Sequence, residues 1–183
     1  MRNKHRPLHR VMDTAQLLEK RRAKDEFFRT SHHSPIPHEE RHEFEGLVYY
    51  EPNPDLVFEL PVEPVEGSEI TVETSDNQQR VYRRVGKVSF DVDGEPAQLA
   101  LYSTGHEGYF VPFRDRTSGG TTYGAGRYLD LDLNDDGTVT VDFNQAYNPS
   151  CVYDEAYSCP LPPIENWLQV PIEAGEKNYA PGA

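Results

Sequence analysis

Asp142, Asn144, Tyr147 and Asn148 lie within seven residues of one another, and Cys151 and Cys159 follow at a spacing of eight. A carboxylate, two carboxamides, a phenol and two thiols in so short a stretch hold the parts that acid–base or hydrogen-bonding chemistry needs. Asp142 and Asn144 stand two apart, which places them on one face of a strand. If that face looks inward, the carboxylate needs a buried partner, and Arg127 is the candidate. Two readings follow. Asp142 is a general base with Tyr147 or Tyr123 as acid or donor and Arg127 stabilising charge, or the same side chains form a structural network.

A second polar segment, "RDRTSGGTTYGAGRY" at 114–128, precedes them. Gly119, Gly120, Gly124 and Gly126 permit positive φ and close approach of backbone N–H groups to an anion. Arg114, Arg116 and Arg127 can make bidentate contacts to carboxylate or phosphate. They are three of only eight cations in residues 43–183, so their clustering counts. No Gly-Lys-Ser/Thr follows, so this is no P-loop. The competing reading is an ordered surface turn whose arginines pair with Asp115 or Asp130.

The two cysteines admit four readings: inert buried thiols, a disulfide, half of a metal site, or a nucleophile paired with His106. A zinc site needs further ligands, and His106 is the only histidine after residue 42, so no metal centre is expected. "DLNDDG" (132–137) matches the opening of a calcium loop through Asp132, Asn134, Asp136 and Gly137. The closing bidentate Glu is replaced by Phe143, and the flanks alternate with period two, so a hairpin turn accounts for the same letters. His32, His33, His38 and His42 read as solvated loop residues.

These residues depend on a β scaffold. Asp13 to Gln16 forms a helix-capping pattern, which predicts a helix over about 13–29, ended by Pro35 and Pro37. From Phe44 the pattern becomes short β segments at 44–50, 55–62, 69–75, 80–92, 97–103, 108–113, 127–133 and 138–144. Gly86 marks a bulge in the long segment, and Asp93-Gly94 a tight hairpin turn. The segments 127–133 and 138–144 are expected to pair across 134–137. Residues 167–175 read as a final strand, held to an edge by Pro171. The expected fold is mainly β, an antiparallel meander forming a barrel-like or sandwich core, with one N-terminal helix and an irregular C-terminal strap at 142–166. Residues 1–43 are an N-terminal extension and 44–183 a single β domain.

Bulk properties narrow the function. Eleven Tyr and eight Phe supply burial for a 183-residue chain. Residues 1–42 carry 10 Lys/Arg against 6 Asp/Glu, whereas 43–183 carry 8 against 25. An acidic body argues against a broad nucleic-acid surface. With 5 Lys, 13 Arg and a net charge of −13, the surface suits either high intracellular salt or an ordinary acidic protein. No apolar run is long enough to span a membrane, and the basic N-terminus lacks a signal-peptide core, so a cytoplasmic protein is expected.

From about residue 44 to 179 the chain resembles a bacterial and archaeal family known as domain of unknown function 1684. The resemblance is carried by "FEGLVYY", "VPFRDRTSGGTTYGAGRYLDLDL", "TVTVDFNQAYNPSCVYDEAYSCPLPPIEN" and "VPIEAGEKNY". It places Arg127, Asp142, Asn144, Tyr147, Asn148, Cys151, Cys159 and Asn166 in the family pattern and assigns them no role, substrate or cofactor. The expectation is a barrel-like pocket beneath the strap that binds a small polar or anionic ligand. Arg114 and Arg127 would contact the anion, and Asn144, Asn148 and Tyr147 would hydrogen-bond it. A hydrolase-like Asp/Tyr/Arg site and a structural or interaction domain are the alternatives. The sequence identifies neither a cofactor nor an oligomeric state.

Overall fold

The structure, a computed structural model, describes residues 12–105 and 107–179. Helix α1 spans Thr14–Thr30. Asp13 caps it, accepting from the Gln16 N–H at 3.0 Å. Only Leu17 and Phe28 are buried, one near each end, while Arg21, Lys24 and Asp25 are half-buried on the inner side of the polar middle. Phe28 docks α1 by packing with Ile36, Phe44 and Tyr153, meeting Tyr153 edge-on at 5.1 Å.

Seven strands follow: β1 (Val57–Pro61), β2 (Glu63–Glu73), β3 (Gln79–Val92), β4 (Glu95–Ser103), β5 (Tyr109–Phe113), β6 (Arg127–Leu131) and β7 (Thr138–Asp142). β2 to β6 form a five-stranded antiparallel meander in chain order, and β1 pairs with β7 as a separate two-stranded ribbon. The sheets do not close into a barrel. They stack sandwich-like around one apolar core, in which Phe143 meets Phe90 at 5.5 Å and Phe113 at 5.6 Å.

The β3 bulge decides which side chains reach that core. Before it, Arg84 faces Tyr102; after it, Gly86 faces Leu101. One extra residue switches the even-numbered positions from one face to the other. Tyr82 therefore packs on the outer face with Tyr102, while Val88, Phe90 and Val92 enter the core. Asp93 (φ 49°) and Gly94 (φ 83°) make the tight β3–β4 turn.

Three expected strand features are revised. Residues 44–50 form no strand. Gly46 at φ 124° interrupts the extension, the Leu47 N–H donates to Asp25 Oδ1 in α1 at 2.9 Å, and only Tyr49 bridges to Glu176. The turn at 134–137 forms, with a single bridge from Leu133 to Val139, but β7 then leaves β6 for β1. The edge of β6 is taken by the strap, whose Tyr147 exchanges two backbone hydrogen bonds with Tyr128 at 2.9 and 3.1 Å.

Residues 167–175 alternate like a strand but pair only briefly, running parallel to 114–116 through the Leu168 N–H to Arg114 O at 2.7 Å and the Arg116 N–H to Val170 O at 3.1 Å. Leu168, Val170, Ile172 and Ala174 are buried, while Trp167, Gln169, Pro171 and Glu173 face out. Pro171 has no N–H, and the Ile172 N–H donates to the Asp115 carboxylate at 2.7 Å instead of to a ladder. Gly175 at φ 80° ends this run, where a Cβ would lie 2.7 Å from Phe143 O.

The strap crosses the outer face of the larger sheet. The Leu161 N–H donates to Glu73 O at 2.7 Å, and the Tyr128 hydroxyl donates to Pro160 O at 2.5 Å. Asn166, fully buried, is its main pin: it accepts from Ala100 N at 2.8 Å and donates to Ala100 O at 3.0 Å and Pro112 O at 2.9 Å. Among the described residues no helix is long and apolar enough to cross a membrane.

Candidate functional site: a charged cleft beneath the helix

Strand β7 sends Val139 and Val141 into the core, and the alternation turns Thr140 and Asp142 to the opposite face. Asp142 and Asn144 therefore lie outside the sandwich. A cleft of about 770 Å³ opens there, covered by α1. Asp13, Gln16, Leu17, Lys20, Arg21 and Lys24 line it from the helix, a stripe at helical spacing. Asp130, Asp132, Asp142, Tyr147 and Glu176 line it from below, with Tyr49 at one side. Three cations thus face four carboxylates across one space.

Two of those cations are used differently. Lys24 Nζ is bound to Glu176 Oε2 at 2.5 Å. Arg21 stacks on the Tyr49 ring, its guanidinium carbon 4.2 Å from the centroid, and Nη1 donates to Tyr50 O at 3.0 Å. Its Nε and Nη2 are buried without a hydrogen-bond partner among the described residues. Desolvation pulls the Arg21 guanidinium down from its usual range, opposed by the nearby Tyr49 and Asp142. Burial pushes the Tyr49 phenol up.

The floor is pre-arranged. Asp142 Oδ1 accepts from the Asn144 N–H and from Asn144 Nδ2, both at 2.9 Å. Among the described residues Asp142 Oδ2 meets only Gln145 Nε2, at 3.5 Å. Asn144 also clasps the backbone of Asn53, N–H and C=O, at 2.8 Å each. The Tyr147 hydroxyl donates to Asp130 Oδ2 at 2.6 Å, and burial with that carboxylate pushes the phenol up.

The cleft thus gathers Asp142, Asn144 and Tyr147 from the residues singled out in the sequence. Asn148 lies behind it, with its N–H on Glu176 Oε1 at 3.0 Å and its Nδ2 on Lys177 O at 3.0 Å. Arg127 is fully buried elsewhere. It donates to Ala174 O at 2.5 Å, Ile172 O at 2.9 Å and Glu176 O at 3.1 Å, and it pairs with Asp115 at 3.4 Å rather than with Asp142. Arg114 stacks on Trp167, with 4.4 Å between guanidinium and ring centroid. Tyr123 neighbours Cys151 and Cys159, both free thiols. His106 lies outside the described residues.

The glycine-rich loop 115–126 is organised around its own anion. Asp115 Oδ2 accepts from Thr117 N–H at 3.1 Å and Thr117 Oγ1 at 2.7 Å. The "NDDG" turn behaves similarly: Asp136 accepts from the Thr138 N–H at 3.0 Å and its hydroxyl at 2.6 Å. No group of three or more His, Cys, Asp or Glu suited to a metal occurs among the described residues.

Sequence reasoning missed Lys20, Arg21, Lys24, Tyr49 and Glu176 as cleft residues. A usable signal was present in α1, whose cations recur at one helical face in a chain otherwise rich in carboxylates.

Residues 42–177 match the family model described as "Protein of unknown function (DUF1684)". A solved structure is also similar: the solution NMR structure of the uncharacterized protein from gene locus rrnAC0354 of Haloarcula marismortui. It is 43% identical with a TM-score of 0.67, over 89% of this chain and 92% of that one. No curated protein matches the chain. With the family model covering residues 42–177 and a 43% identical relative sharing the fold, the chain belongs to the family of proteins of unknown function DUF1684.

Proposed function

We propose that the cleft beneath α1 binds a small polar molecule carrying an anionic group. Arg21 lines the cleft and receives the anion through Nε and Nη2 once a side-chain rotation uncovers them, and Asp142 Oδ2 accepts from a hydroxyl or amine on the same molecule. The observation that carries this reading is the unpartnered edge of Arg21, since a buried guanidinium fork without an acceptor is costly unless something fills it. A volume of about 770 Å³ suits a small metabolite-sized ligand. Asn144 positions Asp142 and Tyr147 positions Asp130, while Asn148 braces Glu176 from behind.

Two-dimensional NMR titration tests this with four probes: inorganic phosphate, malate, glutamate and ribose 5-phosphate. At least one is expected to shift the backbone amides of 16–24 and 140–147 together. Arg21→Gln should weaken that probe by about tenfold or more, the worth of a charged hydrogen-bond pair. No shift with any probe overturns the reading.

A second reading rests on Asp142 itself. Oδ1 is held by Asn144 while Oδ2 is left for a reacting group, the arrangement of an oriented general base. Tyr147 is a poor acid in that scheme because its hydroxyl is committed to Asp130. Asp142→Asn separates the readings, preserving binding and ending turnover only if Asp142 acts as a base. The acidic, Lys-poor surface also supports a high-salt setting, in which adding salt should raise the unfolding temperature.

A further inference from the structure

Cys151 and Cys159 hold a second, independent site. Pro149 starts the short turn Ser150–Val152, which presents Cys151 half-exposed, while Cys159 is 6% exposed just ahead of Pro160. The Cys151 N–H donates to Cys159 Sγ at 3.3 Å, so the two side chains converge although eight residues separate them. Cys159 is fixed at the exit of β2: its N–H donates to Ser75 Oγ at 3.0 Å and the Ser75 N–H donates to Cys159 O at 2.8 Å. Cys159 and Ser150 border a surface hollow of about 690 Å³ that also holds Arg80, Tyr128 and Tyr157, and Cys151 lies just outside its lining.

We propose that this pair is a hydroperoxide-reactive dithiol, with Cys151 as the attacking sulfur and Cys159 as the resolving one. The Cys151 thiolate attacks one oxygen of the hydroperoxide, the O–O bond breaks, and the departing alkoxide takes a proton to leave as the alcohol. Cys151 is now a sulfenic acid. The Cys159 sulfur gives up its proton and attacks the Cys151 sulfur, and the S–O bond breaks with release of water. Two thiols and one hydroperoxide become one disulfide, one alcohol and one water, a two-electron exchange.

The assignment of roles rests on surroundings. Cys151 is the more exposed of the two residues, and its neighbours Cys159, Ser75 and Tyr123, in that order, favour its thiolate. They hold its thiol down to about 6 against the opposing effect of burial. Cys159, buried beside that thiolate, is pushed up and stays protonated until its partner is oxidised. Tyr123 is a positioning residue here, its phenol raised by burial and by the neighbouring sulfur.

The test is hydrogen peroxide added in excess to reduced full-length protein, followed by intact mass and peptide mapping. Wild type is expected to lose two hydrogen atoms, map a Cys151–Cys159 link, and recover with dithiothreitol. Cys159→Ser should stop at a sulfenic acid on Cys151 that dimedone traps, and Cys151→Ser should leave Cys159 unmodified over the same time. Tyr123→Phe should raise the midpoint of the pH–rate profile while leaving the link intact. Absence of the link in wild type, or sulfenic acid on Cys159 in place of Cys151, overturns the proposal.

Discussion

Lys24 Nζ and Glu176 Oε2 lie 2.5 Å apart, joining α1 to the C-terminal segment across 152 residues of sequence. Glu176 is 1% exposed and also accepts from the Asn148 N–H and the Tyr153 hydroxyl at 3.2 Å. Together with Phe28 on Tyr153, this pair sets how α1 covers the cleft.

Lys24→Met leaves that carboxylate without its cation. The expected cost is about 3 kcal/mol, the usual penalty for orphaning one member of a buried pair. Hydrogen exchange should show faster exchange over 14–30 than over β3 and β4. Unchanged protection of the helix would mean that apolar docking alone holds it.

Arg127→Met removes a fully buried guanidinium that ties Ile172, Ala174 and Glu176 carbonyls to Asp115. Urea unfolding is expected to show a loss of about 3–5 kcal/mol. The folded variant should still bind any cleft ligand, because Arg127 does not line the cleft. A large loss of affinity at full stability would reassign Arg127 to the binding site.

Asn166→Ala deletes three buried hydrogen bonds that hold the strap against β4 and β5. At about 1 kcal/mol each, and with backbone groups left unsatisfied, the loss should be about 3 kcal/mol or more. A loss under about 1 kcal/mol would show that the strap is held by its apolar contacts.

Cys151 should alkylate fast at pH 7 and slow down as pH falls through about 6, where the neighbouring Cys159, Ser75 and Tyr123 hold its ionisation against burial. The sign follows from the depressed value. An unfolded thiol ionises near about 8.5, so the thiolate favours the folded state fully above that pH. The contribution is lost as pH falls through about 6. Iodoacetamide labelling against pH, read by peptide mass, checks this. A midpoint in the ordinary thiol range contradicts it.

The local signals in the sequence carried most of the scaffold. Asp13 capped its helix, Gly86 marked its bulge, and Asp93-Gly94 made its turn. What periodicity could not reveal was partner choice. Residues 127–144 read as one hairpin, yet β7 pairs with β1 from far upstream, since edge occupancy by Tyr147 is a tertiary fact. The same limit applied to the site. Asp142, Asn144 and Tyr147 were legible as a polar cluster on one strand end. Their counter-charges arrive from α1, which lies outside residues 42–177 of the family match, and no spacing rule links Arg21 to Asp142. Arg127 looked like the cluster's cation because it was the nearest in sequence, but Asp115 and three carbonyls claim it.

In the proposed binding mode, the Arg21 Nε and Nη2 edge takes the anionic group of the ligand. The most direct measurement is the Arg21 Nε–H resonance, followed by nitrogen-15 NMR while phosphate, malate, glutamate and ribose 5-phosphate are added in turn. At least one probe is expected to shift this resonance and slow its exchange with water, and Arg21→Gln is expected to abolish the matching shifts around Asp142. An Arg21 Nε–H signal that stays fixed through all four titrations would contradict that binding mode.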